Sequence, residues 1–342
     1  MRALRIAAHG GLDALQVVDI EEPELGPGEV RVAMAAVALN HLDVWVRRGV
    51  PGHVFPLPIV PCSDGAGRVV EVGAAVRGLS VGDEVFVLPG VSDPRGEATL
   101  RGEDQLDPSY EILGEARDGL ACERVVLPQE NVHRKPQRLS LVEAAAFPLS
   151  FLTAWNMVVR RACVQPGETV LVQAAASGVG VAVVEICHLI GARVIATAGS
   201  ADKCARLEGL GVLRAIRYDE EDVVTALREV APGGVEVVVD HVGKATFDAS
   251  LRCLRRAGRY VTCGATTGTS VGVHLGHVFF KSLSILGSTM GRRGDLLQIA
   301  RLMDQGRLSP VVGAVLQGLE AVREGHRLLE DRSVFGKVVI EH

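Results

Sequence analysis

The sequence predicts an α/β protein, a doubly wound parallel sheet preceded by an all-β domain. Three observations predict it. Downstream of about residue 140, short apolar runs alternate with amphipathic helical patterns, the signature of strands covered on both faces by helices. Upstream of about residue 135, β-type runs stand between Gly and Pro turn signals, with a single short helical stretch. Between Val170 and Gly180 a strand, a small-residue turn and a helix follow one another directly.

In the first part, Glu29–Met34, Gly67–Val72 and Asp83–Val87 read as strands between turns such as Pro27-Gly28 and Val81-Gly82. Leu39 to Arg48 reads as the embedded helix. Residues 91 to 114 form a polar insertion whose charges suit a solvated loop. At Ser140 a capping box opens, Ser as N-cap and Glu143 three residues on. Helix is expected from there, interrupted at Pro148, with a second run from Leu152 to Arg161. Strands are expected at Val170–Val172, Val194–Thr197, Val235–Val239 and Tyr260–Cys263. Helices are expected at Val181–Leu189, Ala201–Leu210, Asp222–Val230 and Phe247–Leu254. The tail reads as helices at Leu296–Met303 and Leu319–Leu329 and a strand at Lys337–Ile340 that returns to the first domain. The expected division is residues 1–135, closed by 290–342, and residues 136–289.

The organising stretch is Val170 to Gly180. Small residues let a backbone approach a pyrophosphate, and a helix N-terminus offers free N–H groups and partial positive charge. Ala176, Ser177, Gly178, Val179 and Gly180 are the candidates to cradle it. The glycine fingerprint is degraded, since Ala175 and Ser177 stand where GxGxxG has its first two glycines. By itself the stretch fits an ordinary strand–helix turn equally well.

The chain has 342 residues, is 48% hydrophobic and carries a net charge of -5. It can bury a sizeable core and has no basic patch for nucleic acid. No apolar window is long enough for a bilayer, and Met1 opens no secretory signal. Seven scattered cysteines with no CxxC pair suit reduced thiols and a cytoplasmic location.

Specific phrases make the whole chain resemble the medium-chain dehydrogenase/reductase superfamily. They are Pro27-Gly28-Glu29-Val30, Leu39-Asn40-His41-Leu42-Asp43, Gly65-Ala66-Gly67, Gly82-Asp83-Glu84-Val85, Thr153-Ala154, Ala176–Gly180, Ala198-Gly199-Ser200 and Phe335-Gly336-Lys337-Val338-Val339. Within it, Ile195–Ser200 and Leu286–Met290 look like the quinone-oxidoreductase side and its alcohol-dehydrogenase-like relatives. The resemblance implies a GroES-like N-terminal domain, a Rossmann domain and a nicotinamide cofactor. It also implies a homodimer or homotetramer, through the strand Ser284–Thr289, acting on a small-molecule substrate.

The departures bear on mechanism. The three catalytic zinc-ligand positions of zinc-dependent members fall on Asn40, Ser63 and Leu149. A Lewis-acid zinc needs thiolate, imidazole or carboxylate ligands, and these three side chains supply none. Asp64 matches an alternative ligand of some relatives and stands alone. The four structural-zinc cysteines of other relatives fall on Asp93, Gly96, Thr99 and Asp107. No metal is therefore expected at either place.

NAD-preferring Rossmann proteins end the second strand with an acid; here that position is Ala198, followed by Gly199-Ser200. An uncharged end leaves room for a 2′-phosphate, with Ser200, Lys203 and Tyr218 to meet it, so the expected cofactor is NADPH. Lys203 also suits a solvated helix face, and Tyr218 a packing role. The resemblance places ribose and nicotinamide near His241, Val242, Gly243, Cys263, Gly264 and Ala265, with Thr153 on the cofactor side. It sets His41 against the pyrophosphate, although a lone histidine is as readily structural. Asn40, Asp43 and Trp45 are the candidate catalytic residues, Trp45 standing where many quinone oxidoreductases have Tyr. Leu42 falls where zinc alcohol dehydrogenases relay a proton through Ser or Thr. Without a Lewis acid an alcohol is hard to activate, whereas a conjugated acceptor spreads charge toward its own carbonyl. The expected activity is NADPH-dependent reduction of a quinone, enone or similar activated double bond. A metal-free alcohol dehydrogenase or carbonyl reductase, or a non-enzymatic NADPH-binding protein, stays open.

Overall fold

Strand Glu29–Leu39 is the spine of the first half of the molecule, and its length follows from its residues. Val30, Val32, Met34 and Ala36 alternate inward, and Val37 to Leu39 are buried without a break. In a computed structural model describing residues 1–342, the chain forms two units, Met1–Leu149 with Arg292–His342, and Ser150–Gly291.

In the first unit the spine pairs antiparallel on one side with Asp64–Val72 and on the other with Arg124–Pro128 along its first half and Lys337–Glu341 along its second. The C-terminal strand thus returns to this sheet, and Val312–Gln317 pairs parallel beyond it. Glu84–Val87 and Val132–Arg134 complete seven strands. The embedded helix runs His41–Arg48. Gly67 permits the close pairing, because a Cβ there would strike the carbonyl of Ala33 on the spine.

The second unit is a six-stranded parallel sheet. In spatial order its strands are Arg214–Arg217, Arg193–Ala198, Thr169–Val172, Val235–Asp240, Leu254–Thr262 and Ser284–Gly287. Numbered along this unit the order is 3-2-1-4-5-6, the doubly wound arrangement whose strand order reverses beside the first strand. Leu171, Ile195, Ile216, Val238 and Tyr260, one from each of five strands, lie in its buried core.

Several expectations shift. The helix expected from Val181 begins at Gly178 and runs to Ile190, with Ser177 as its N-cap and Gly191, at φ +89°, as its stop. The interruption expected at Pro148 falls at Phe147, and Pro148 opens the next helix, Pro148–Trp155, because a first helical position needs no N–H. The Ser140 capping box is present, opening Leu141–Ala146. The strand expected at Tyr260 begins earlier, at Leu254. Helix Leu275–Lys281 and strands Arg2–Ile6, Leu15–Asp19 and Arg214–Arg217 were not anticipated. No helix is long and apolar enough to cross a membrane.

Candidate active site

In the second unit the candidate residues gather where strand order reverses. Thr169–Val172 and Val235–Asp240 are neighbours there, and the chains leaving them meet: Ser177 Oγ and His241 Nε2 share a hydrogen bond of 3.0 Å. Ser177 Oγ also accepts from Gly180 N at 3.0 Å, capping the helix. Gly180 has no room for a side chain, since a Cβ would lie 2.6 Å from Ala175 Cα. The turn therefore has properties that the degraded fingerprint left open: small residues, a backbone packed too closely for a side chain at Gly180, and a helix N-terminus at Gly178.

A buried polar chain fixes this turn. Thr197 Oγ1 accepts from Ala174 N at 3.0 Å and donates to Gln173 Oε1 at 2.9 Å. Gln173 Nε2 donates to Ser250 Oγ at 3.1 Å, and Ser250 Oγ donates to Asp240 Oδ2 at 2.9 Å. Asp240 Oδ1 accepts from Val242 N and Gly243 N at 2.7 and 3.1 Å. The carboxyl ends of three adjacent strands are tied together in this way, an arrangement not visible in the motifs. Gly243, at φ +88°, packs on Ala265, and Thr267 N donates to Val242 O at 2.9 Å, so the loop after Leu254–Thr262 joins the group. Burial pushes the Cys263 thiol up to about 12, which keeps it neutral.

At the end of Arg193–Ala198, Gly199 lies against the Tyr218 hydroxyl, and Ser200 caps helix Ala201–Gly209 by accepting from Lys203 N at 3.3 Å. Tyr218 is half-exposed. No acid ends the second strand. Thr153 is buried in helix Pro148–Trp155.

In the first unit, strand register builds the site. Asn40 follows the end of the spine, where Ala38 pairs with Asp64 and Leu39 with Val338. Asp64 and Lys337 thereby flank Asn40. Asn40 Nδ2 donates to Asp64 Oδ2 at 2.8 Å. Lys337 Nζ donates to Asn40 Oδ1 at 2.5 Å and to Asp64 Oδ2 at 2.9 Å. Asp64 Oδ1 accepts from Leu149 N at 2.7 Å. Asp64 and Lys337 are buried, as is Ser63, whose hydroxyl has no hydrogen-bond partner. Lys337 is the residue that sequence reading missed; its only signal was membership of the closing phrase.

Asp43 sits beneath this cluster. Its Oδ2 accepts from Asn40 N at 2.7 Å and its Oδ1 from Cys62 N at 3.0 Å. Burial is the main influence on it and raises its pKa to about 6, against the pull of those two N–H groups. Both oxygens serve backbone, so Asp43 fixes the start of helix His41–Arg48 and the turn at Cys62. His41 meets Trp45 edge-on, ring centroids 5.5 Å apart. Burial, with Arg332 next, lowers its pKa and favours neutral imidazole.

The donor set does not fit a catalytic zinc. An amide, a hydroxyl and an aliphatic side chain occupy the three ligand positions, and of the two carboxylates nearby Asp64 is engaged by an ammonium and Asp43 by two backbone N–H groups. The insertion is closed by hydrogen bonds: Asp107 Oδ1 accepts from Ser109 Oγ at 2.7 Å, and Gly96 packs on the Asp107 carboxylate. No group of three or more His, Cys, Asp or Glu side chains is arranged to hold a metal ion.

Comparison with known proteins agrees with this architecture. Residues 178–305 match the family described as zinc-binding dehydrogenase, and residues 26–137 the alcohol dehydrogenase GroES-like domain. The chain is 32% identical over 337 residues to quinone oxidoreductase-like protein 2 of Bos taurus, covering 95% of this chain and 88% of that one. It is 30% identical over 343 residues to acryloyl-coenzyme A reductase of Metallosphaera sedula, covering 99% of each. A crystal structure described as an NAD-dependent alcohol dehydrogenase superposes with a TM-score of 0.96 at 50% identity, covering 100% of both chains.

Proposed function

Because the chain belongs to the medium-chain dehydrogenase/reductase superfamily, we propose that it is an NADPH-dependent reductase of a quinone, enone or similar activated double bond, working without zinc. The observation that carries this reading is the pairing of a small-residue turn at a helix N-terminus with an amide, a hydroxyl and a leucine at the metal-ligand positions. In this reading the pyrophosphate is held by the N–H groups of Gly178 and Val179, with the Gly180 N–H kept by the Ser177 cap. Ser200, Lys203 and Tyr218 meet the 2′-phosphate, and His241 to Gly243 and Cys263 to Ala265 border the ribose and nicotinamide. Bound NADPH supplies a hydride. The net change is acceptor plus NADPH plus a proton giving the reduced acceptor and NADP. For an enone, the hydride adds at the β-carbon, the C=C electron pair moves to the carbonyl oxygen, and water protonates the α-carbon. Asn40 donates an amide N–H to the oxygen as its charge grows, and Trp45 stacks on the conjugated plane.

The 50%-identical structure described as an NAD-dependent alcohol dehydrogenase favours a second reading, oxidation of an alcohol with NAD. One experiment separates the two: loss of NADPH absorbance with an acceptor panel, beside alcohol-driven reduction of NAD and NADP. Turnover of quinones or enones by NADPH, without alcohol oxidation, is the expected result. Alcohol oxidation without conjugated-acceptor turnover overturns the first reading.

The edge strand Ser284–Gly287 has a neighbour on one side only and follows helix Leu275–Lys281, on which Phe279 and Phe280 are exposed. A second copy of the chain is the proposed cover. Light scattering at the mass of a dimer or tetramer supports this, and a monomer refutes it.

A further inference from the structure

We propose that the Lys337 ammonium polarises the Asn40 amide, and that it acts through Asn40 as a positioning residue. The proposal rests on the reading of Asn40 as donor to the acceptor oxygen. Lys337 lies 297 residues from Asn40 in sequence and reaches it because Lys337–Glu341 and Asp64–Val72 flank the same spine strand. Its side chain is 5% exposed and that of Asp64 is 0%. Asp64 also takes the backbone N–H of Leu149. The chain at two of the ligand positions, 40 and 149, is therefore tied into one ammonium–carboxylate pair. An incoming cation would face that ammonium.

The arrangement fixes the Asn40 amide. An ammonium has only donors, so the amide oxygen must face Lys337 and the NH2 must face Asp64. One amide N–H is spent on Asp64, and the second is the only donor the side chain has left to offer. Lys337 draws electron density toward the amide oxygen, which makes that remaining N–H a stronger donor. Asn40 transfers no proton; it stabilises charge on the acceptor oxygen through one hydrogen bond, with Lys337 behind it.

The alternative is that Lys337 merely neutralises Asp64. Lys337→Met alone leaves a buried carboxylate short of a partner and can fail to fold. Lys337→Met combined with Asp64→Asn removes both charges together and keeps the shape. The optical readout is the absorbance of dimethylaminocinnamaldehyde bound with oxidised cofactor, because a push–pull aldehyde shifts to the red when its carbonyl is polarised. The kinetic readout is kcat and KM for cyclohexenone with NADPH. The proposal expects a red shift in the wild type, kept by Lys337→Arg and lost in the double variant. It also expects the double variant to unfold near the wild-type temperature. Its kcat should fall about 10- to 100-fold, the range for one charge-assisted hydrogen bond, with KM little changed. A double variant with wild-type kcat and red shift overturns the proposal, as does a wild type showing no shift. A Lys337-dependent shift in a protein that turns over no enone supports the role of Lys337 while refuting the proposed activity, so the two failures are distinguishable.

Discussion

Replacing Gly180 by alanine tests whether the turn after Thr169–Val172 is a cofactor cradle. A Cβ at Gly180 would lie 2.6 Å from Ala175 Cα and 2.7 Å from both its carbonyl carbon and oxygen. All three are backbone atoms, so no side chain can swing away and the turn itself must move. Overpacking of this kind costs about 1–3 kcal/mol. Movement also strains the Ser177 cap, whose Oγ accepts from Gly180 N at 3.0 Å, and a lost cap costs about 0.5–2 kcal/mol. The N–H groups that would face the pyrophosphate are displaced with it. NADPH affinity, followed by fluorescence titration, should drop about tenfold or more, since each 1.4 kcal/mol is tenfold. The unfolding temperature should fall by several degrees. Gly209 is the control: nothing lies within 4 Å of a Cβ there, it is exposed at the end of its helix, and alanine should gain about 0.4–1 kcal/mol. A Gly180→Ala protein that is less stable but binds NADPH normally would refute the cradle while leaving the packing argument intact.

Three further outcomes follow from the same geometry. Lys203→Ala should weaken NADPH about tenfold or more by removing a charge-assisted contact, with NADH unchanged in parallel titrations; equal loss for both cofactors would count against a 2′-phosphate site. Thr197→Val removes the hydroxyl that serves Ala174 N and Gln173, so the unfolding midpoint should drop by about 1–3 kcal/mol and cofactor binding should weaken with it. Elemental analysis should find zinc far below one atom per chain, and a stoichiometric zinc whose removal abolishes activity would contradict the assignment at Asn40, Ser63 and Leu149.

Much of the parallel sheet was legible because buried strands are nearly continuous apolar runs, as at Val170–Val172 and Val235–Val239. Arg214–Arg217 was not, because two of its four residues are arginines paired with acids at the sheet edge. The hairpin of Arg2–Ile6 and Leu15–Asp19 carries few turn signals beyond its glycines, and its pairing is set in three dimensions. Phrases and spacing placed Asn40, Ser63 and Leu149, and local pattern placed the Ser177–Gly180 turn. Lys337 escaped, since only strand register brings it to Asn40. The same holds for the chain from Asp240 through Ser250 and Gln173 to Thr197, whose members are unremarkable one by one in sequence.

The central claim is that this chain reduces a conjugated acceptor without a Lewis acid. It is tested most directly by kcat/KM for cyclohexenone and cyclohexanone, measured side by side with NADPH after exhaustive treatment with a zinc chelator. The two differ by one double bond, so binding is closely matched and the difference reports the need to activate an isolated carbonyl. The account predicts that cyclohexenone is turned over with the higher kcat/KM and that the chelator changes nothing. Preferential reduction of cyclohexanone, or loss of activity to the chelator with recovery on adding zinc, would contradict it.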